Sequence, residues 1–376
     1  MTASAVQPSL SSNAILDEID RYLRSEIKPK ANLLDHDSVA LFEAFKALGL
    51  SGWLTPKIPE ALGGLGFSTG EYQQFQGTMA RYSGALAFLQ TQHQSAASLL
   101  ASSDNEALKQ TYIADMAKGV KQVGVGFSHL RRPSAPLKAN AVEGGYLLNG
   151  VVPWVTGEGL FTHFVGAAVL TEQTKDRAAG SAIFGLLPLT SRTTGQTTNQ
   201  ISRIITKVPM QLSGLAATRT VEVEMKDWFL PKQDVLGMKA PGWIHGRDRA
   251  NPLSPLGLIF GCSQAGIDVL TEALERRHID HGIAQQLEQK LASLQTDLPK
   301  VNALTEQDFS QKVAFRGRAI SLMNTCAEAA IIASSGAANL TSHPAQRIYK
   351  ESLVFSVSGQ TTQGAIASLN ALLSAI

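Results

Sequence analysis

In the stretch GGYLLNGVVPWVTG, Gly144 to Gly157, a large flat ring and a hydroxyl stand two residues apart, at Trp154 and Thr156. A planar indole can stack on a planar guest, and a threonine hydroxyl can bond that guest's polar edge. The same ring can instead be a lid over an apolar core, and periodicity alone favours that reading. A second set is His129 with Arg131 and Arg132. An imidazole beside two guanidinium groups can meet an anionic substrate or move a proton near neutral pH. The alternative is a loop histidine near the surface, with two solvated arginines. The sequence has no His/Cys spacing suited to a metal, no P-loop and no nucleophile elbow.

These residues need a scaffold, and the composition allows a large one. A chain of 376 residues suggests about two or three domains and a sizeable core. Hydrophobic residues make up 44% and charged ones 17%, which suits many buried helices or an oligomer interface. The net charge is +2 with Lys and Arg scattered, so there is no electrostatic footprint for nucleic acid. Cys262 and Cys326 lie in apolar helical patterns and read as small core residues in a reducing compartment. Met1 to Leu10 lacks a signal-peptide pattern, and no apolar run is long enough for a bilayer. The expectation is a cytoplasmic protein without a membrane partner, with residues 1–12 as a flexible tail.

From Asn13 to Gly119 the periodicity is helical. Ala85 to Leu100 reads as a buried helix, and Asp104 as a cap for a helix over Asn105 to Lys118. Between Val120 and Leu236 short alternating or apolar runs predict strands, at Val123 to Phe127, Val165 to Leu170, Ile183 to Leu189 and Thr220 to Met225. Asn149-Gly150 reads as a type I′ hairpin turn, and Pro153 puts the return strand at an edge or a bulge. After Pro241 helices return, over Pro255 to Arg277, Glu288 to Leu294, Phe315 to Ser335 and Ala345 to Phe355. On the first of these Gly257, Gly261, Cys262 and Ala265 would let a neighbouring helix approach closely. The expected fold is α+β: an N-terminal helical domain over 13–119, a middle β-barrel or sandwich domain over 120–238, and a C-terminal four-helix bundle over 239–376. The absence of βαβ alternation argues against a Rossmann fold.

Four stretches together carry a family resemblance. LGLSGWLTPKIPEALGGLGFSTGEY, Leu48 to Tyr72, holds Pro-Glu, Gly-Gly-x-Gly and a following acid. The opening stretch holds Asn-Gly and Trp-Val-Thr. GLAATRTVEVEMKDWFLPKQDVLG, Gly214 to Gly237, leaves the strand region through Leu-Pro and Val-Leu-Gly, and ALERRHID, Ala273 to Asp280, closes a long helix. In this order and spacing they resemble the acyl-CoA dehydrogenase family of flavoproteins, from about Asp37 to the C-terminus. The resemblance implies the same three-part fold, with FAD between the β domain and the bundle, in a homodimer or homotetramer whose neighbouring subunit helps hold it. It implies that Trp154, Val155 and Thr156 wall the flavin ring, with Phe127 and Ser128 in the strand that helps hold flavin and acyl-CoA. Arg276 matches the arginine that faces the FAD pyrophosphate from a neighbouring subunit, and Gln285 another polar contact. Thr361 and Gln363 match the threonine and its polar partner near the flavin.

The chemistry of that family needs a carboxylate to take the substrate's α-proton. In RIYKESLVFSVSGQTTQGAI, Arg347 to Ile366, the usual base position falls on Gly359, or on Ser358 with a one-residue shift. An alternative position, early in the first bundle helix, falls on Ala250, with Asp248 two residues away as a substitute base, a cap or an ion-pair partner. Glu351 lies about two helical turns before Gly359, too far for the same site. In GFSHLRRPSAPLKA, Gly126 to Ala139, His129 stands where the family has a glutamate, and a Gly-Ser-Asp is missing. Three functions remain open. The first is an FAD-dependent oxidoreductase acting on CH–CH of an acyl-CoA or similar small molecule, with an electron-transfer partner. The second is a flavin-dependent monooxygenase of the same fold, fed reduced flavin by a separate reductase. The third is a non-catalytic scaffold or binding homologue.

Overall fold

The computed structural model describes residues 11–173, 178–194 and 202–373. The first ten residues, expected to belong to a loose tail, lie outside the described residues.

Six helices open the chain: α1 (Ser12–Tyr22), α2 (Ala31–His36), α3 (Ser38–Leu50), α4 (Thr69–Tyr82), α5 (Gly84–Ala101) and α6 (Glu106–Ala117). Each start has a local cause. Asp37 caps α3 by accepting from Val39 and Ala40, and Ser68 with Glu71 forms a reciprocal capping box on α4. Asn105, not Asp104, caps α6, because its side chain accepts from the Leu108 amide. α5 is buried along most of its length, as its Ala/Leu composition predicts.

Among the described residues nine strands follow: β1 (Val123–Gly126), β2 (Leu137–Val142), β3 (Gly145–Val155), β4 (His163–Leu170), β5 (Ala182–Pro188), β6 (Arg192–Thr194), β7 (Ser202–Thr206), β8 (Val221–Pro231) and β9 (Val235–Lys239). They form one hydrogen-bonded sheet in the order β6-β7-β8-β3-β2-β4-β5-β9, with β1 parallel to β4. The hairpin expected at Asn149-Gly150 is not there. The β2–β3 turn is Glu143-Gly144, and Asn149-Gly150 lies inside β3 at a break in register with β8. Gly150 takes a φ of +123°, where an added Cβ would sit 1.9 Å from the Pro136 carbonyl oxygen. Asn149 meanwhile exchanges two hydrogen bonds with Asp227 across the bulge, at 3.0 and 2.9 Å. Tertiary pairing thus turned a turn signal into a bulge. Pro153 lies at a second register break; β3 is flanked by β8 and β2, but beyond Val151 its β2 side is open.

Helices close the chain: α7 (Trp243–Ala250), α8 (Leu256–Arg276), α9 (Gly282–Asn302), α10 (Phe309–Ser334), α11 (Pro344–Val357) and α12 (Thr362–Leu373). The predicted Glu288–Leu294 element is the middle of the much longer α9. The short α7 and the amphipathic α12 were not predicted; α12 lies against α10, where an added Cβ on Gly317 would fall 2.7 Å from the Ala367 carbonyl oxygen. The small residues of α8 do what their size suggests. Added Cβ atoms on Gly257 and Gly261 would fall 2.5 Å from the carbonyl oxygen of Gln73 and 2.1 Å from that of Gly77, so α4 is the close neighbour. Cys262 and Cys326 are free and buried. Among the described residues no helix is long and apolar enough to cross a membrane.

Polar links join the layers, among them buried ones at Glu351 and His93. Glu351 of α11 accepts from Arg347 at 2.7 Å and from the Gly84 amide of α5 at 3.0 Å. His93 of α5 sits between the Met116 carbonyl at 3.0 Å and Val123 of β1, its ring edge-on to Phe45. Apolar side chains stay exposed on α11 and α12, among them Leu353, Val357, Ile366 and Leu369.

Candidate functional site

The sheet, the N-terminal helices and the C-terminal helices enclose a cavity of about 1060 Å³. Its sheet wall comes from the ends of β1 and β3. β1 runs out at Gly126, and Phe127 and Ser128 then enter the cavity lining. The bulged, one-sided end of β3 presents Trp154, 48% exposed, as a broad apolar face toward that cavity. Such exposure of a tryptophan calls for a guest or a partner. Thr156 is buried, its hydroxyl 3.0 Å from that of Thr220. The side chain of Val155 is fully buried, away from the cavity, so only its backbone can address a ligand.

The helical walls are mixed, with Phe88, Leu99, Leu258, Val313 and Leu353 beside polar groups. α5 shows the cavity one stripe at helical spacing that includes Thr91, Ser95, Ser98 and Ser102. α7 brings Trp243, Arg247 and Asp248. The Arg247 guanidinium lies 5.2 Å from the centre of the Phe127 ring and 5.6 Å from that of Trp243, and burial lowers its pKa. Asp248 gives both oxygens to Arg131, at 2.6 and 2.7 Å, in a side-on fork. It is the single carboxylate among the described lining residues.

At the end of α11 the chain turns through Ser358 and Gly359, both lining the cavity, with Gly359 at a φ of +61°. Arg316 of α10 holds this turn: it donates to the carbonyls of Ser358 at 2.7 Å, Gly359 at 3.2 Å and Pro252 at 3.4 Å. Burial lowers its pKa to about 10. Thr361 also lines the cavity, and its hydroxyl accepts from the Gly364 amide at 3.1 Å to start α12.

The structure therefore brings together Phe127, Ser128, Trp154, Thr156 and Thr361, but not the rest. Arg276 and Gln285 are exposed at the α8–α9 junction, and Gln363 is exposed on α12; none lines the cavity. His129 is neither a surface loop residue nor a cavity group. It is buried, its Nε2 donates to the Ala167 carbonyl at 2.9 Å, and its Nδ1 has no partner. Burial pulls its pKa down to about 4, which keeps the ring neutral near pH 7. Glu351 is a buried structural carboxylate. Arg316 and Arg247 escaped sequence reading. Arg316 was signalled by VAFRGRAI, Val313 to Ile320, where an arginine interrupts an apolar helical run.

A planar isoalloxazine suits the Trp154 wall, and the cavity has the volume and hydrogen-bonding groups for one. The residues present fit a flavin. Known proteins share the fold. The family model for the acyl-CoA dehydrogenase N-terminal domain matches residues 11–120. The short-chain-specific acyl-CoA dehydrogenase of Clostridium acetobutylicum is 25% identical over 233 residues, 60% of this chain and 57% of that protein. The match thus spans little more than half of that relative's length. A glutaryl-coenzyme A dehydrogenase solved with glutaryl-CoA superposes with a TM-score of 0.73 at 20% identity, covering 99% of this chain and 96% of that one. KijD3, solved with FMN and a dTDP-linked amino-keto sugar, superposes with a TM-score of 0.72 at 19% identity, covering 99% and 95%. The structural likenesses show that the chain has the acyl-CoA dehydrogenase fold, and the sequence match to that family's N-terminal domain is confined to residues 11–120.

Proposed function

We propose that the protein is a flavin-dependent oxidoreductase that holds FAD in the central cavity. The observation that carries the proposal is the 1060 Å³ cavity walled by a half-exposed Trp154. Trp154 stacks on the ring, Thr156, Ser128 and the Val155 backbone meet its polar edge, Phe127 closes one side, and Thr361 approaches from the bundle. Arg276, Gln285 and Gln363 serve the FAD of a second copy, whose docking also covers the exposed apolar side chains of α11 and α12. The protein is thus a homodimer or homotetramer. Bound FAD supplies a two-electron acceptor for a small-molecule substrate, an acyl-CoA or a compound handled similarly, with an electron-transfer partner or a reductase completing turnover.

The chain's own residues limit the chemistry. Gly359 and Ala250 carry no carboxylate, and Asp248 has both oxygens committed to Arg131. Among the described lining residues no side chain is placed to take an α-proton as a free carboxylate does. This favours a second reading, a flavin-dependent monooxygenase that uses reduced flavin and oxygen and needs no such base. KijD3, solved in complex with FMN and a dTDP-linked sugar, is a structural neighbour whose bound ligands include no acyl-CoA. The visible spectrum of the FAD-loaded protein without oxygen separates the readings. Bleaching by an acyl-CoA supports dehydrogenation, and flavin that no acyl-CoA bleaches supports the monooxygenase. A protein that takes up neither oxidised nor reduced flavin is a scaffold.

Gly359→Glu restores a carboxylate at the family's base position. An added Cβ meets only Pro255 Cγ, at 3.9 Å, but the φ of +61° makes the side chain pay roughly 1–2 kcal/mol of backbone strain. The variant is expected to unfold at a lower temperature than wild type and to gain anaerobic flavin reduction by butyryl-CoA. A variant that binds both ligands and never bleaches defeats this expectation.

A further inference from the structure

The end of the cavity where a base is missing is positively charged. Arg316 is only 4% exposed, and no carboxylate pairs with it among the described residues. Its three contacts are neutral carbonyls on Pro252, Ser358 and Gly359. They use both hydrogens of Nη1 and one of Nη2. The Nε of Arg316 is buried without a partner, so this guanidinium keeps an unused donor. The charge of Asp248 reaches Arg316 but is shared with Arg131, and a buried guanidinium so weakly countered at a cavity wall leaves room for an anion.

A second feature converges on the same place. α8, 21 residues long, begins at Leu256 with no side chain capping its first turn. Ser254 and Pro255, just ahead of it, line the cavity, and Pro255 is the nearest group to a Cβ built on Gly359. The positive end of the helix therefore lies near Arg316, which bonds the Pro252 carbonyl just ahead of it. Charge over the whole cavity points the same way. Lys57, Arg131, Lys239, Arg247 and Arg316 line it against Asp248 alone, and Asp248 is already paired.

We infer that the substrate carries a carboxylate, and that this group is received at the Gly359 end of the cavity by Arg316 and the first turn of α8. The inference rests on the flavin reading of the same cavity. It replaces an acidic group supplied by the protein with one supplied by the substrate. Arg316 is here a specificity-determining residue.

The test uses matched pairs that differ in one carboxylate. Succinyl-CoA is compared with butyryl-CoA, and phenylacetate with 2-phenylethanol, by calorimetry on the full chain with and without FAD. The visible flavin band is recorded first, so a failure of flavin binding is seen separately from a failure of this inference. The charged member of at least one pair is expected to bind on the order of tenfold tighter or more. The succinyl-CoA pair tests a carboxylate on a thioester and the phenylacetate pair a free acid. Arg316→Gln should abolish the preference, and Arg316→Lys should keep part of it. A merely structural Arg316 would weaken both members of a pair alike and leave their ratio unchanged. Equal affinities within both pairs, no binding of either acid at millimolar concentration, or a ratio unaltered in a folded R316Q protein overturns the inference.

Discussion

Glu351→Ala is expected to destabilise the protein by about 3–5 kcal/mol, the usual cost of leaving one member of a buried ion pair alone. Glu351 is 0% and Arg347 7% exposed at the side chain. The carboxylate joins Arg347 of its own helix to the Gly84 amide at the start of α5, so it anchors the C-terminal helices to the N-terminal ones. Removing it leaves the guanidinium with Asn32 Oδ1 as its remaining partner and an α5 amide without an acceptor. The midpoint of urea unfolding should fall accordingly. Replacing both partners with apolar residues, as in Arg347→Met with Glu351→Leu, should recover part of the loss, because neither member of the pair is then stranded and only Asp35 loses the nearby charge of Arg347. A single variant E351A within about 0.5 kcal/mol of wild type, the range of an ordinary surface change, would show that the pair does not anchor the helices.

Stability is expected to fall as pH drops from about 6.5 toward 4, and two histidines account for a large part of the fall. His93 and His129 are both buried, and burial pulls each from 6.5 down to about 4. The folded protein keeps them neutral while the unfolded chain protonates them below 6.5. Their contribution is therefore complete above 6.5, shrinks as pH falls toward 4, and is flat below that. Each is worth on the order of 3 kcal/mol across the window. His129→Gln keeps a donor for the Ala167 carbonyl and removes one titrating group. Unfolding free energies at pH 7 and pH 4.5 should differ less in H129Q than in wild type. Equal differences would mean that His129 is protonated in the folded state.

The parts of the fold set by local chemistry were legible in the sequence. The Ala/Leu run of α5, the alternation of β8 and the small residues of α8 each report their own surroundings. Asn149-Gly150 misled because the signal for a hairpin turn is also the signal for a bulge, and only the pairing of β3 with β8 distinguishes them. The end of α9 and the short α7 were missed because their surfaces are mostly polar, so little apolar periodicity marks them. In the site, Trp154, Thr156 and Thr361 could be named by family resemblance, since they sit in recognisable motifs. His129 could not be placed, because whether a loop histidine turns in or out depends on a carbonyl 38 residues away, that of Ala167. Arg316 was hidden for a similar reason. Its partners Pro252, Ser358 and Gly359 lie on two distant segments, and its single clue was a charge within an apolar helix.

That the central cavity holds a flavin is tested most directly by titrating the purified protein with FAD and following the visible band, with Trp154→Ala in parallel. Loss of an aromatic stacking face costs roughly 1–3 kcal/mol, so the variant should bind FAD about tenfold to a hundredfold more weakly while its unfolding midpoint stays close to wild type. A saturable flavin band in wild type that weakens in the variant is the predicted result. No bound flavin at any concentration, or a band that is indifferent to the loss of Trp154, contradicts the account.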